Sequence, residues 1–279
     1  MVLMIPIGNF AKLRIARFLS FGAYLESDEG EEVLLPGKYL TPEMQEGDII
    51  EVFLYCDSED RPVATTEQPL ATVGEVAFLR VKDINKFGAF LDWGVLKDLF
   101  VPFREQATPM QKEKKYLVYV YLDEESMRLA GSSRLSKFLH NKDVDLKTNQ
   151  QVPIIIAEKT DLGYRVVVDN RYWGIIYADE VFEKMNIGDK RTGFVKKIRE
   201  DNKIDISLQK LGYGAVDPAS MDILSKLNAA GGFIPLSDKS PPEKIYDYFK
   251  MSKKTFKKAI GALYRERKIL IKPDGIQLI

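Results

Sequence analysis

The 279-residue chain holds one histidine, His140, and one cysteine, Cys56. Those two counts remove most of the residue sets that do covalent or metal chemistry. A Ser-His-Asp triad, a Cys-His pair or a histidine-based metal site has almost no material to draw on. A lone cysteine forms neither an internal disulfide nor a cysteine-based zinc site. Asp and Glu are plentiful, but they sit in turns and form no recognised pair or metal motif. No catalytic residue, metal or cofactor is expected, and the remaining chemistry is that of binding. Lys253, Lys254, Lys257 and Lys258 gather where a helix begins. Such a run suits phosphate or groove contacts; the plainer reading is a solvated helix face. His140 falls in the polar stretch 137–142 and reads as a linker residue. Cys56 ends the strand-like segment Val52–Cys56 and reads as a packed thiol.

The net charge is zero, but the average hides a gradient. Residues 1–66 carry 5 basic and 12 acidic side chains, net −7, and residues 67–145 carry 12 of each. Residues 146–211 carry 12 and 10, net +2, and residues 212–279 carry 12 and 7, net +5. A polyanion would therefore meet the C-terminal part first. The apolar share of 45% and charged share of 29% are ordinary for a globular chain. No apolar run approaches the roughly 18 residues of a membrane span, and Met1–Ala11 lacks the pattern of a signal peptide. A cytoplasmic protein without a membrane partner is expected.

These charge blocks coincide with an internal repeat. Phe21-Gly22-Ala23-Tyr24-Leu25 returns 66 residues later as Phe87-Gly88-Ala89-Phe90-Leu91. Val33-Leu34-Leu35-Pro36 then matches Leu99-Phe100-Val101-Pro102, and each copy ends in a further strand and an acidic turn. A third, weaker copy runs through Pro153–Lys159, Leu162–Val168, Trp173–Tyr177, Gly193–Ile198 and Ile204–Leu208. About five short strands in roughly 60 residues suit a five-stranded Greek-key barrel of the OB type. The recurring glycine is expected to let an early strand bend without a side-chain clash.

After Leu211-Gly212-Tyr213-Gly214 the period changes. Met221, Ile223, Leu224 and Leu227 have helical spacing. Phe233–Leu236 reads as a short strand, and Ser240-Pro241-Pro242-Glu243 as a helix start. Ile245, Tyr248 and Phe249 give that helix its apolar face. Ser252 caps a longer helix whose apolar face is Phe256, Ile260, Leu263 and Tyr264. Residues 269–278 read as a hairpin with an Asp274-Gly275 turn. Helix, strand, two helices and hairpin make a winged helix with the lysine-bearing helix in the recognition position. The predicted fold is mainly β with a C-terminal α+β module: three OB-type barrels (1–66, 67–145, 146–211) and a winged helix (212–279).

Glu75–Val81 followed by Phe87–Asp92 resembles the S-one RNA-binding domain, the repeat of the ribosomal small-subunit protein of that name. Three such repeats followed by a winged helix resemble the conserved virulence factor B family of bacterial regulators. The resemblance implies a single-stranded RNA ligand, with bases stacked on outward-facing aromatics beside cationic side chains. Carried over by position, repeat two contributes Phe87, Phe90 and Arg128. Repeat one contributes Phe21, Tyr24 and Arg61, and repeat three Tyr177 and Lys203 with Trp173 nearby. The pattern's histidine is missing, with Leu35, Val101 and Tyr177 read at its place. Leu162 and Arg165 replace the double aromatic of repeat three. Degenerate copies serving only as packing spacers are the alternative, strongest for acidic repeat one. Strand alternation puts Phe87 and Phe90 on opposite faces unless Gly88 bends the strand.

Together these readings give an RNA-binding regulator, acting during or after transcription, with no enzymatic activity. Two other classes stay open. One is a DNA-binding regulator reading duplex through the winged helix, which would need a dimer to match two half-sites. The other is a scaffold docking on a protein partner such as ribosome or polymerase.

Overall fold

The fold was obtained as a computed structural model, which describes residues 5–181, 184–209, 218–265 and 267–279. The expected change of period at 211–214 and the module boundary there lie outside the described residues.

Barrel one is formed by β1 (Phe10–Leu19), β2 (Gly22–Glu26), β3 (Glu32–Pro36), β4 (Ile49–Cys56) and β5 (Pro62–Thr65). Barrel two is formed by β6 (Val76–Ile84), β7 (Gly88–Asp92), β8 (Leu99–Pro102), β9 (Lys115–Asp123) and β10 (Arg128–Ser132). Barrel three follows with β11 (Gln151–Thr160), β12 (Gly163–Val168), β13 (Tyr172–Tyr177), β14 (Lys190–Ile198) and β15 (Ile204–Ser207). All three close with one topology: the first strand pairs with the second and fourth, and the third lies beside the fifth. The fold class read from the sequence is the one the chain adopts.

The bend sits elsewhere than expected. The irregularity in strand pairing common to the three barrels lies in the first strand, between Ile15 and Arg17, Val81 and Asp83, and Ile156 and Glu158, and barrel three has another in β14 between Val195 and Lys197. A bulge there adds twist and turns the strand along the closing barrel. The repeated glycine does a different job at the start of the second strand. A Cβ on Gly22, Gly88 or Gly163 would lie 2.2, 2.3 or 2.1 Å from the carbonyl oxygen of Leu35, Val101 or Ile176. The two strands approach too closely there for any side chain. Gly88→Ala is expected to destabilise barrel two by about 1–3 kcal/mol, the usual cost of forcing extra volume into a packed site. Thermal unfolding checks this, and an unchanged midpoint would contradict it.

Successive barrels share packing. In β4, residues 52–56 are all buried. Val52, Leu54 and Cys56 point into barrel one, while Phe53 and Tyr55 join the core of barrel two. The rings of Phe53 and Trp93 meet edge to face, 5.6 Å between centroids. Lys97 reaches back to donate to the carbonyls of Cys56 and Asp57 at 2.8 and 2.7 Å, and burial lowers the pKa of its ammonium. A smaller cluster joins barrels two and three through Val76, Leu135, Leu139, Ile155 and Val167. Cys56 is a buried free thiol, whose pKa desolvation raises. His140 is exposed.

The C-terminal module comprises α1 (Pro218–Ala229), β16 (Phe233–Ile234), α2 (Pro242–Phe249), α3 (Lys253–Arg265), β17 (Ile269–Lys272) and β18 (Gly275–Leu278). The three strands form one sheet in the order β16-β18-β17. Three expected core residues lie outside it: Met221 is 60% exposed, Tyr248 44% and Tyr264 53%. Each stands at the margin of its helix's apolar stripe, where periodicity alone does not separate inside from outside. The hairpin turn also moves by one residue. Lys272 pairs with Gly275, so the turn is Pro273-Asp274. Gly275 instead opens β18, where a Cβ would sit 2.3 Å from the Ile234 carbonyl.

Candidate nucleic-acid interface

The outer face of barrel two carries a groove of about 810 Å³. Phe87, Phe90, Phe100, Arg104 and Arg128 line it. Phe87 does not lie in a strand. It sits in the turn before β7, where the Asn85 side-chain oxygen accepts from the backbone N–H of Phe87 at 2.8 Å and of Gly88 at 3.2 Å. That turn frees Phe87 from strand alternation, so it shares the groove with Phe90 without any bend at Gly88. Its ring is 62% exposed. Phe90 is half-buried and packs on Phe100, with ring centroids 5.2 Å apart.

Phe100 is the aromatic that sequence reasoning missed. Val101 was read at the facing position, yet Val101 is fully buried. Phe90 pairs with Phe100, and in barrel one Tyr24 pairs with Leu34 rather than with buried Leu35. A slip of one residue exchanges the two faces of a strand. The signal was present: Leu99 and Val101 are apolar neighbours at period two, which sends Phe100 outward.

Arg128 opens β10 at the rim of the groove, but it is not free. Its Nε donates to Asp60 Oδ1 at 2.6 Å, and its Nη2 pairs with the other carboxylate oxygen. The guanidinium holds the Asp60 carboxyl below the usual carboxylate range. Asp60 belongs to the acidic turn of barrel one, so one barrel masks a cation of the next. Asp60→Asn is expected to raise affinity for single-stranded RNA by up to about fivefold, since exposed ion pairs contribute about 0.2–1 kcal/mol. A titration at low salt checks it; unaltered affinity would remove Arg128 from the contact set.

The other two repeats differ. In barrel one, Phe21 is 58% exposed and Tyr24 is half-buried, with Arg17 4.5 Å above its ring. Arg17 is itself paired with Glu32, and Arg61 with Asp57 at 2.7 Å and Glu59 at 2.8 Å. Opposite Tyr24 stands Leu34, so no third ring completes the patch. In barrel three, Leu162 and Arg165 occupy the places of Phe87 and Phe90. Tyr177 pairs with Gly163 as Pro102 pairs with Gly88, which places it at the proline position and not opposite Arg165. Its hydroxyl accepts from Arg199. Lys203 is bound to Asp201 at 2.7 Å. Trp173 lies four residues before Tyr177 on β13, about 13 Å along the strand, and packs on the cluster joining barrels two and three. The structure thus gathers Phe87, Phe90 and Arg128, and keeps Trp173 apart from Tyr177.

In the C-terminal module, Ser252 Oγ accepts from the Thr255 N–H at 3.1 Å and starts α3. Lys250, at φ 55°, makes the sharp turn from α2. Phe256, Ala259, Ile260 and Leu263 are buried, which turns Lys254, Lys257 and Lys258 outward while Lys253 is half-buried. Asp238 stands 4.0 Å from Lys257. Among the described residues no carboxylate pairs with Lys253, Lys254 or Lys258. Arg265 extends the row of Lys254 and Lys258 by helical spacing.

Among the described residues, no group of three His, Cys, Asp or Glu side chains could hold a metal ion, and no helix is long and apolar enough to cross a membrane. Barrels of the S1 type ending in a winged helix define a class of multidomain nucleic-acid-binding protein. The S1 domain family matches residues 7–67 and 73–132, and the CvfB-like winged helix domain matches residues 221–278. Over most of its length the chain is similar to proteins named conserved virulence factor B. An uncharacterized protein of Bacillus subtilis, YitL, is 28% identical over 94% of this chain and 90% of its own length. Conserved virulence factor B of Staphylococcus saprophyticus is 26% identical over 91% of this chain and 88% of its own. A solved multidomain protein with nucleic acid binding domains from Streptococcus pneumoniae is 24% identical over 98% of both chains, with a TM-score of 0.40. The families matched are nucleic-acid-binding, not enzymatic.

Proposed function

We propose that this protein is an RNA-binding regulator in the bacterial cytoplasm, acting during or after transcription, with single-stranded RNA as its ligand. The observation that carries this reading is the groove of barrel two, lined by the three rings Phe87, Phe90 and Phe100 together with Arg104 and Arg128. Rings of this kind accept unstacked bases of any sequence, and the arginines meet the backbone. Bases inside a duplex are already stacked and cannot reach such a surface. Barrel three adds Tyr177, Lys203 and Trp173 as weaker contacts, and barrel one, with Phe21, Tyr24 and Arg61, contributes least because Leu34 stands opposite Tyr24 and its net charge of −7 repels phosphate. The exposed lysines of α3 provide a second contact to phosphate.

A titration of the full chain against single-stranded RNA, duplex RNA and duplex DNA of equal length, over a salt series, tests the proposal. Single-stranded RNA is expected to bind tightest. Tighter, sequence-selective binding of duplex DNA would overturn it in favour of readout through α3. Absence of binding to all three would favour a protein-docking scaffold.

A further inference from the structure

A second groove, of about 600 Å³, runs between barrels two and three. Tyr116, Arg134, Glu158, Arg165 and Trp173 are among its lining side chains. Four features point to a nucleotide. The Arg165 guanidinium carbon lies over the Trp173 ring, 3.7 Å from its centroid. The buried Trp173 Nε1–H has no acceptor among the described residues. Arg134 is exposed and carries no carboxylate partner among the described residues, and Glu158, the one acidic side chain of the lining, holds Arg165 only at 3.9 Å. Last, Arg134 Nε donates to the Arg104 carbonyl at 2.8 Å. Arg104 lines the aromatic groove of barrel two, so this contact links a lining residue of one groove to a lining residue of the other.

We propose that the groove between barrels two and three is a second subsite for single-stranded nucleic acid, continuous with the aromatic groove and reached only by strands long enough to pass Arg104 and Arg134. It rests on the reading of this protein as a single-strand binder. Arginine planes and aromatic rings both stack on bases. The orphan indole N–H supplies a donor for a phosphate or base oxygen. Arg134 and Arg165 supply charge on either side. A protein segment would need acidic and aromatic groups at the same spacing, whereas each nucleotide carries both a π-face and an anion.

The chain reports on this site directly. It has two tryptophans, and Trp93 is 2% exposed within the core shared by barrels one and two. Changes in indole emission on binding therefore come from Trp173. The probe is a ladder of single-stranded oligouridylates from about 4 to about 16 nucleotides, the range of site sizes on one OB-type barrel. Affinity is followed by anisotropy of a labelled end and the junction by tryptophan emission. Short members are expected to bind without changing emission, and longer members to quench it. Trp173→Phe, which keeps a ring, should bind and show no quench. Arg134→Gln with Arg165→Gln should weaken the long oligonucleotides at least tenfold and leave the short ones unchanged. If the pair lowers the melting midpoint, exposed Arg134→Gln alone should still weaken the long ones selectively. Undiminished long-strand affinity in these variants, or unmoved emission at saturation, would overturn the subsite while leaving the barrel-two reading intact. Failure of every oligonucleotide to bind would overturn both.

Discussion

Replacing Phe87 and Phe90 together by alanine is expected to lower affinity for single-stranded RNA by about 5- to 150-fold per ring, because each base stacked on an aromatic contributes about 1–3 kcal/mol. Phe87 is exposed in its turn, with the Lys86 ammonium 5.0 Å above its ring, so its removal costs little stability. Phe90 leans on Phe100, and aromatic pairs contribute about 0.5–1.5 kcal/mol beyond area; a small drop in the unfolding midpoint accompanies the double change. Phe100→Ala should weaken binding in the same way. The matching Phe21→Ala, Tyr24→Ala pair in barrel one should do much less, because Leu34 stands where a third ring would be. Affinity unchanged by the barrel-two pair, or a collapse of the fold, would end the stacking account.

The second large effect is on salt dependence. Phosphate contacts release counterions, so affinity on single strands falls with salt at about 0.7 units of log slope per neutralised phosphate. Changing Lys253, Lys254, Lys257 and Lys258 to alanine should flatten the slope by roughly 2–3 units, the lower figure applying if Asp238 already neutralises Lys257. Base preference should stay the same, since phosphate contacts position and do not specify. Stability should shift by no more than about 0.5 kcal/mol per residue, as for other surface changes. A slope that does not move, with full affinity, would leave the module at residues 218–279 as a protein-docking element.

Much of the architecture was legible because it rests on local pattern. Alternating apolar residues announce the strands, and the recurrence of the Phe-Gly-Ala element announces that barrel two repeats barrel one. The aromatic pair of the candidate site was legible for the same reason. The third ring was missed because the facing position was read one residue late, at Val101, although the alternation of Leu99 and Val101 sends Phe100 outward. The position of Tyr177 was misread on a similar point of register: its partner is Gly163 and not Arg165. Met221, Tyr248 and Tyr264 were placed inside because they are apolar or aromatic near a helical stripe, and their helices present those positions to solvent.

By itself the sequence determined the succession of barrels and winged helix, the single histidine and single cysteine, and the gradient of charge toward the C-terminus. These are sums and periods, and they do not depend on which segment meets which. Only the tertiary structure decided what the charges do. Arg128 and Asp60 are 68 residues apart in the chain, yet they meet because β4 packs one face on each of two barrels. Trp173 leaves the expected patch of barrel three because the cluster of Val76, Ile155 and Val167 draws that end of β13 against barrel two. Burial and ion pairing are properties of neighbours in space, and packing between barrels supplies neighbours that no spacing along the chain encodes.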